Sequence, residues 1–209
     1  MSTILAIETS TPRGNVALMV DGRLVADECF VADRGHTSHL FPLLEKILRE
    51  VVRLDVIVVG VGPGSYAGIR IGISAATGIA LAHDAKLMGI PSVAAMSETS
   101  PVITIGDARR DSFYFAKVED GFCKEGPLLL DAVSLKERLA MEGNIPVLAT
   151  AALPDFNPQI AAPQARLLAG LAGRVEYAKQ ADVLEPLYLR EAHITPPKVP
   201  ALKRKSPGC

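Results

Sequence analysis

The chain has 209 residues, of which 49% are hydrophobic and 22% are charged, and its formal net charge is −1. This composition is ordinary for a well-packed globular protein, and the near-zero charge excludes a global basic field of the kind that holds a nucleic-acid backbone. No apolar run approaches the ~18 residues that a membrane-spanning helix needs. Three widely separated cysteines, Cys29, Cys123 and Cys209, predict a reducing, cytoplasmic environment.

The N-terminal region predicts a three-strand antiparallel meander. Its first apolar run, 4–7, has no basic region before it and ends at Glu8, so we expect a strand rather than a signal peptide. Turn-forming residues follow. Two further apolar runs then flank Asp21-Gly22, which is a strong signal for a two-residue hairpin turn.

Two helices are predicted on either side of a buried strand. Apolar residues at spacings of three and four predict the first helix over 38–51, with Ser38 as its N-cap. The apolar run 55–59 predicts the strand, and the small-residue segment 67–83 predicts the second helix. A glycine-rich block, 60–72, therefore begins at the end of the strand and continues into the second helix.

The glycine-rich block is a candidate anion site, because backbone N–H groups are free at a helix N-terminus. However, no lysine lies between Val61 and His83, which excludes a P-loop. The segment 62–67 fits the loose dinucleotide pattern, but it contains a proline and the next strand does not end in an acid. We expect Ser65 to cap the helix, because Pro63 stands where a nucleophile elbow needs glycine.

Four small residues recur at every fourth position of the second helix. Two interpretations of this stripe stand: it packs closely inside the chain, or it forms a docking face for a partner. On the second interpretation, a bulky residue at Gly72 or Ala76 would block pairing and leave the chain folded. The predicted partner interface then comprises Leu40, Leu44, Gly68, Gly72, Ala76 and Ala80.

The pattern of the first half restarts near residue 100. A shift of 99 positions places the strand that ends at Glu8 on one that ends at Asp107, and Asp21-Gly22 on Asp120-Gly121. The shared order of strand, terminal acid, strand and hairpin turn predicts an internal duplication.

The second half contains the same kinds of elements. Ser134-Leu-Lys-Glu137 is a capping box that predicts a short helix. A strand over 145–149, a helix over 164–175 and a final short element from Glu185 follow. We predict two lobes, 1–99 and 100–198, and a disordered basic tail, 199–209.

The acids that end the first strand of each lobe are the candidate chemical groups. We expect Glu8 and Asp107 to face each other across the cleft between the lobes, where they can position a metal–nucleotide or a water. Alternatively they cap turns beside arginines such as Arg109. His36 and His39 supply only two of the three or four ligands that a metal site needs, so a capping or surface role is favoured for them.

Five segments, which cover nearly the whole chain in the right order, resemble the bacterial TsaB (YeaZ) family. Glu8 stands where that family usually has aspartate, and Tyr66-Ala67 where Phe-Thr is commoner. The segments are Ile4-Leu-Ala-Ile-Glu-Thr-Ser-Thr11, His36-Thr-Ser-His-Leu40, Gly62-Pro-Gly-Ser-Tyr-Ala-Gly-Ile-Arg-Ile-Gly72, Asp107-Ala-Arg-Arg110 and Glu185-Pro-Leu-Tyr-Leu-Arg190.

The resemblance implies a duplicated, two-lobed, actin-like ATPase (ribonuclease H-like) fold of the α/β class. It also implies a role in making threonylcarbamoyladenosine beside the anticodon of tRNA. Members of the family pair with the related subunit TsaD, which transfers the threonylcarbamoyl group, and the ATPase TsaE joins them with ATP. Members that are alone form homodimers. The chain lacks the metal-binding histidine motif of TsaD, so the resemblance implies no catalytic residue, no metal and no intrinsic cofactor.

The leading hypothesis is a non-catalytic partner subunit that reaches tRNA only through the complex and does not contact a membrane. ATP or ADP at the partner interface stays an open alternative. A second function class is an autonomous ATPase or phosphotransferase that uses Glu8 and Asp107. A third, an RNA-binding module, is disfavoured because only 203–205 forms a basic cluster. Weak nucleotide or phosphate contacts are assigned to Glu8, Thr9, Ser10, Thr11, Asp107 and Arg109.

Overall fold

The first half of the chain forms a five-stranded sheet with the strand order β3-β2-β1-β4-β5. The structure is a computed structural model that describes residues 2–32, 35–174 and 184–189. β1 pairs with β2 antiparallel and with β4 parallel, and β4 pairs with β5 parallel. The strands are β1 (Thr3–Glu8), β2 (Arg13–Val20), β3 (Arg23–Val31), β4 (Val56–Gly60) and β5 (Lys86–Ile90).

The second half repeats this topology in a second five-stranded sheet, with the order β10-β9-β6-β7-β8. Its first strand again pairs with the second antiparallel and with the fourth parallel. The strands are β6 (Val102–Asp107), β7 (Ser112–Glu119), β8 (Phe122–Asp131), β9 (Val147–Ala149) and β10 (Gln159–Ile160). The helices of the chain are α1 (Thr37–Leu48), α2 (Tyr66–His83), α3 (Ala132–Met141) and α4 (Ala165–Ala172).

The predicted duplication is confirmed. β6 begins and ends 99 positions after β1, and β7 lies 99 positions after β2. Both predicted hairpin turns are present, with positive φ at both central residues: 49° and 75° at Asp21-Gly22, and 52° and 76° at Asp120-Gly121. This geometry is that of a type I′ turn, which joins twisted antiparallel strands without splaying them.

The first sheet is covered on both faces. Successive residues of β1 point to opposite faces: Leu5 and Ile7 pack with α1 and α2, whereas Ile4 and Ala6 pack with α4. Helix α4 follows the last strand of the second sheet, so the end of the second half crosses back to the first sheet. The predicted limits 1–99, 100–198 and 199–209 stay predictions, and the tail lies outside the described residues.

Three local expectations need correction. α1 begins at Thr37 after His36, which makes no side-chain cap bond, and the Ser38 hydroxyl donates to the Gly35 carbonyl instead. α3 is capped by Asp131, whose Oδ1 accepts a 2.8 Å bond from the Ser134 amide. β8 runs directly into α3, so the cap is the last strand residue and not Ser134. Residues 184–189 form neither helix nor strand.

No helix within the described ranges is long and apolar enough to cross a membrane. Cys29 is exposed and Cys123 is partly buried, and both are free thiols. Cys209 lies outside the described residues.

Candidate functional site: the loop after β1 and the start of α2

Glu8, the acid at the end of β1, is completely buried. Its Oε1 accepts a 2.6 Å hydrogen bond from the Ser10 amide, whereas Oε2 has no hydrogen-bond partner. Burial raises the pKa of Glu8 above the ordinary value of 4.5, and the hydrogen bond from Ser10 opposes this rise. The predicted position facing an open cleft is therefore wrong for Glu8, because its carboxyl group lies inside the first lobe.

Glycine at position 60 is required by this carboxyl group. A Cβ on residue 60 would lie 1.8 Å from Glu8 Oε2 and 2.7 Å from Ser92 Oγ. Gly60 is the last residue of β4, which is parallel to β1 in the same sheet. The parallel pairing of β1 and β4 therefore places the Glu8 carboxyl group in direct contact with the backbone of Gly60.

The loop after β1 packs directly on the start of α2. Thr9 Oγ1 donates a 2.8 Å bond to the Gly68 carbonyl, and the Ser65 amide donates a 2.7 Å bond to the Ser10 carbonyl. A Cβ on Gly64 would lie 2.2 Å from Ser10 O, and one on Gly68 2.1 Å from Thr9 O. The two backbones are therefore in contact, which explains why glycine occupies both positions.

This contact encloses two of the residues predicted to bind phosphate. Thr9 and Ser10 are buried where the loop meets the first turn of α2. Thr11 is also buried, and its hydroxyl donates to the Arg13 carbonyl. Ser65 caps α2 as predicted, since its Oγ accepts a 3.2 Å bond from the Gly68 amide. The loop after β1 and the glycine-rich block thus form one closed unit.

Asp107 and Arg109, the remaining candidate contacts, are exposed. Asp107 Oδ1 accepts a 2.6 Å bond from the Arg109 amide. The three residues that follow Ala108 all have positive φ, with values of 67°, 54° and 55° at Arg109, Arg110 and Asp111. Asp107 therefore caps the turn between β6 and β7, as in the alternative that the sequence left open.

The two histidines at the start of α1 are structural. His36 is buried and its Nε2 lies 2.9 Å from the Thr11 carbonyl oxygen. The Phe30 ring packs edge-on against His36 and stacks on His39. In the described part of the chain, no three His, Cys, Asp or Glu side chains are grouped as metal ligands would be.

The residues predicted to form the partner interface are core residues of this chain, so that prediction needs correction. A Cβ on Gly72 would lie 2.3 Å from Thr9 Oγ1 and 3.4 Å from Val59. The small side chains let α2 approach β1 and β4, and they face inward for that reason. All six residues are buried: Leu40, Leu44, Gly68, Gly72, Ala76 and Ala80.

An aromatic cluster that the sequence did not reveal lies beside the same loop. The Tyr66 and Tyr188 rings stack with centroids 5.1 Å apart and planes at 24°, and Arg70 Nη1 donates to the Tyr66 hydroxyl at 2.5 Å. A cavity of about 320 Å³ adjoins the two rings and the side chains of Arg109 and Arg110. The tyrosines are 122 positions apart in sequence, so no local pattern could pair them.

A larger groove, of about 890 Å³, lies between the end of α1 and strands β2 and β3. Val25 and Val52 line it, and Val52 is 98% exposed. Charged residues of both signs, among them Glu28 and Lys46, alternate with these apolar side chains.

Comparisons with known proteins agree with this duplicated fold. The family model for TsaD, the tRNA N6-adenosine threonylcarbamoyltransferase, matches residues 30–151. An uncharacterised protein of Mycobacterium tuberculosis is 31% identical over 94% of this chain and 95% of its own length. The tRNA threonylcarbamoyladenosine biosynthesis protein TsaB of Haemophilus influenzae is 32% identical over 56% of this chain and 53% of its own length.

A solved structure gives the same result. The crystal structure of an uncharacterised Pseudomonas aeruginosa protein with similarity to peptidase YeaZ superposes with a TM-score of 0.67 at 27% identity. It covers 91% of this chain and 100% of its own. The molecule is thus a two-lobed, actin-like (ribonuclease H-like) α/β protein. The chain belongs to the TsaB (YeaZ) branch of the family that the TsaD model describes.

Proposed function

We propose that the chain is a non-catalytic partner subunit in the biosynthesis of threonylcarbamoyladenosine on tRNA, where it acts with TsaD and TsaE. The names of its relatives support the pathway. The observation that carries the non-catalytic role is the complete burial of Glu8 against Gly60. A carboxylate that positions a metal or a water must touch it, and Glu8 touches Gly60 and Ser10 instead.

The closed loop after β1 supports the same role. A phosphate group needs free backbone or hydroxyl donors. Here the Thr9 hydroxyl donates to the Gly68 carbonyl, and the Ser65 amide donates to the Ser10 carbonyl. The Ser10 hydroxyl has no hydrogen-bond partner, but it is buried and does not reach the surface. Binding a nucleotide at this loop would require α2 to separate from β1, with the loss of both bonds and of the packing around Gly64.

The outer face of α2 is the proposed surface for TsaD. Arg70, Ser74, Gly78 and Leu81 recur at spacings of three and four and therefore share one side of the helix. They are exposed, and Leu81 is 86% exposed. The inner face of α2 packs on its own sheet, and its outer face carries an exposed leucine and a glycine. Such an outer face can pack against a second helix.

Gly78 allows a test that leaves the fold intact, because a Cβ there would meet nothing within 4 Å. We expect Gly78→Arg to weaken TsaD binding at least about tenfold, because binding would bury an unpaired charge. Gly170→Arg on α4 is the matched control, since that helical glycine also has open space around it. Titration by calorimetry with TsaD, on variants whose thermal unfolding matches wild type, measures the effect.

An autonomous ATPase is the alternative function, and a separate titration distinguishes it from the partner role. ATP and magnesium titrated into the isolated chain should produce no turnover. Tight binding and turnover that disappear in Asp107→Ala would overturn the partner role. Equal TsaD affinities of the Gly78→Arg and Gly170→Arg variants would overturn the assignment of the docking surface.

A further inference from the structure

We infer that the cavity beside Tyr66 and Tyr188 binds a single nucleotide unit, with its base against the tyrosine rings and its phosphate at Arg109 and Arg110. The inference rests on the proposed function only for the source of that unit, an unpaired nucleotide of tRNA. A free mononucleotide presents the same base and phosphate groups, so RNA and a mononucleotide are tested separately.

The aromatic side of the cavity is a preformed stacking surface. Tyr66 and Tyr188 remain 48% and 42% exposed although their rings already stack on each other. Arg70 donates to the Tyr66 hydroxyl and its guanidinium carbon lies 5.2 Å from that ring centroid. Each ring is therefore held in place before a ligand arrives, which is the arrangement that favours stacking of a flat base.

The cationic side comes from the turn between β6 and β7. Arg109 and Arg110 both line the cavity, and the Asp107 bond to the Arg109 amide fixes the backbone that carries them. Asp107 and Asp111 belong to the same turn, but neither lines the cavity. Among the described residues that line the cavity there are two arginines and no acid, so its charge suits a phosphate.

The start of α2 adds to this charge. Gly64 and Tyr66, at the N-terminus of an 18-residue helix, also line the cavity, and the helix dipole favours a negative group there. A volume of about 320 Å³ is at the lower end for small-ligand sites. A cavity of this volume can hold one base with its phosphate, and it is too small for a duplex.

Intrinsic fluorescence gives a direct assay, because the chain has no tryptophan and four tyrosines. We would titrate the full chain at low ionic strength with a short single-stranded RNA and, separately, with AMP, and follow tyrosine quenching and binding by calorimetry. The variants are Tyr188→Ala, Tyr66→Ala, the conservative Tyr66→Phe and the double variant Arg109→Ala/Arg110→Ala. Arg23→Ala, an exposed arginine at the opposite end of the first sheet, is the control for loss of charge.

We expect each Tyr→Ala change to weaken RNA binding at least about fivefold through weaker stacking. Tyr66→Phe keeps the ring and loses only the bond from Arg70, so it should weaken binding less than Tyr66→Ala does. Arg23→Ala should bind as wild type does. The arginine double variant should lower the slope of log affinity against log salt by about 0.7 for each phosphate that the protein no longer neutralises. RNA bound in preference to AMP assigns the site to a strand, and equal binding of both assigns it to a free nucleotide. Both outcomes support the nucleotide site.

Three results would overturn it. The first is wild-type protein that binds neither probe, and the second is Tyr→Ala and arginine double variants that bind both probes as wild type does. The third is Tyr→Ala variants with unchanged probe binding and weakened TsaD binding, which would make the cluster a protein contact. None of these results depends on modified tRNA being formed, so failure here is distinguishable from failure of the proposed function.

Discussion

Glu8 Oε2 lies directly against Gly60, where a Cβ would come within 1.8 Å of it. The two residues are the ends of the parallel neighbours β1 and β4. Their contact leaves a buried carboxyl oxygen without a hydrogen-bond partner. The Glu8 carboxyl group is therefore enclosed within the first lobe.

Replacing Gly60 tests the pair directly. Gly60→Ala should destabilise the protein by about 1–3 kcal/mol, because the new methyl group must displace a buried side chain that has no free space. Gly78→Ala, where a Cβ meets nothing, is the control and should be neutral or stabilising by up to ~1 kcal/mol. Urea unfolding measures both. Equal stability of the two variants would contradict the contact.

The buried carboxyl group should also make stability depend on pH. The folded pKa of Glu8 is raised above 4.5 by burial, so the folded state binds the proton more tightly than the unfolded state. The resulting stabilisation is fully present below the unfolded pKa and is lost as pH rises through the folded pKa. Wild type should therefore lose stability relative to Glu8→Gln as pH rises from about 4.5.

This dependence is read from urea unfolding of both proteins over a pH series. Glu45→Gln, an exposed change on α1, controls for the loss of one charge. A free-energy difference between wild type and Glu8→Gln that is constant with pH would show that Glu8 is not buried as described.

The glycine stripe of α2 should behave as core. Gly72→Ala places a Cβ 2.3 Å from Thr9 Oγ1, and we expect a cost of about 1–3 kcal/mol. Thr9→Ala removes that oxygen but also loses its bond to Gly68, at about 1 kcal/mol. Because the clash is absent in the double variant, the two costs should not add. Strict additivity in a double-mutant cycle would argue that residues 9 and 72 do not touch.

The helix cap of α3 gives a fourth prediction. Asp131→Ala should cost about 1 kcal/mol, since Asp131 Oδ1 accepts from the Ser134 amide. Ser134→Ala is the control and should cost less, because the Ser134 side chain does not cap the helix. Thermal unfolding of the two variants compares them, and a larger loss in Ser134→Ala would restore the capping box.

Local signals in the sequence predicted the strands well and the orientation of side chains poorly. Asp21-Gly22 and its counterpart 99 positions later fixed two hairpins, because few residues accept positive φ at both central positions. The stripe at Gly72 showed that something approaches α2 closely, but its spacing does not say whether that neighbour is the chain's own sheet or another protein. The structure identifies the neighbour through the contact between Gly72 and Thr9. These two residues are far apart in sequence, so no local pattern reveals their contact.

Two other features were beyond local patterns for the same reason. Nothing near Tyr66 indicates Tyr188 as its neighbour, since the pairing depends on where residues 184–189 return to the first lobe. The place of Glu8 at the end of β1 marks it as a candidate functional acid. Its burial depends on the close approach of β4 and on the smallness of Gly60, which only the folded sheet reveals.

We propose that this chain supports tRNA modification as a subunit and not as a catalyst. In-vitro reconstitution with TsaD, TsaE, ATP and tRNA, scored as threonylcarbamoyladenosine formed, tests it most directly. We predict no product without this chain, full product with Gly170→Arg, and little product with Gly78→Arg. Equal product in the presence and absence of this chain would contradict it.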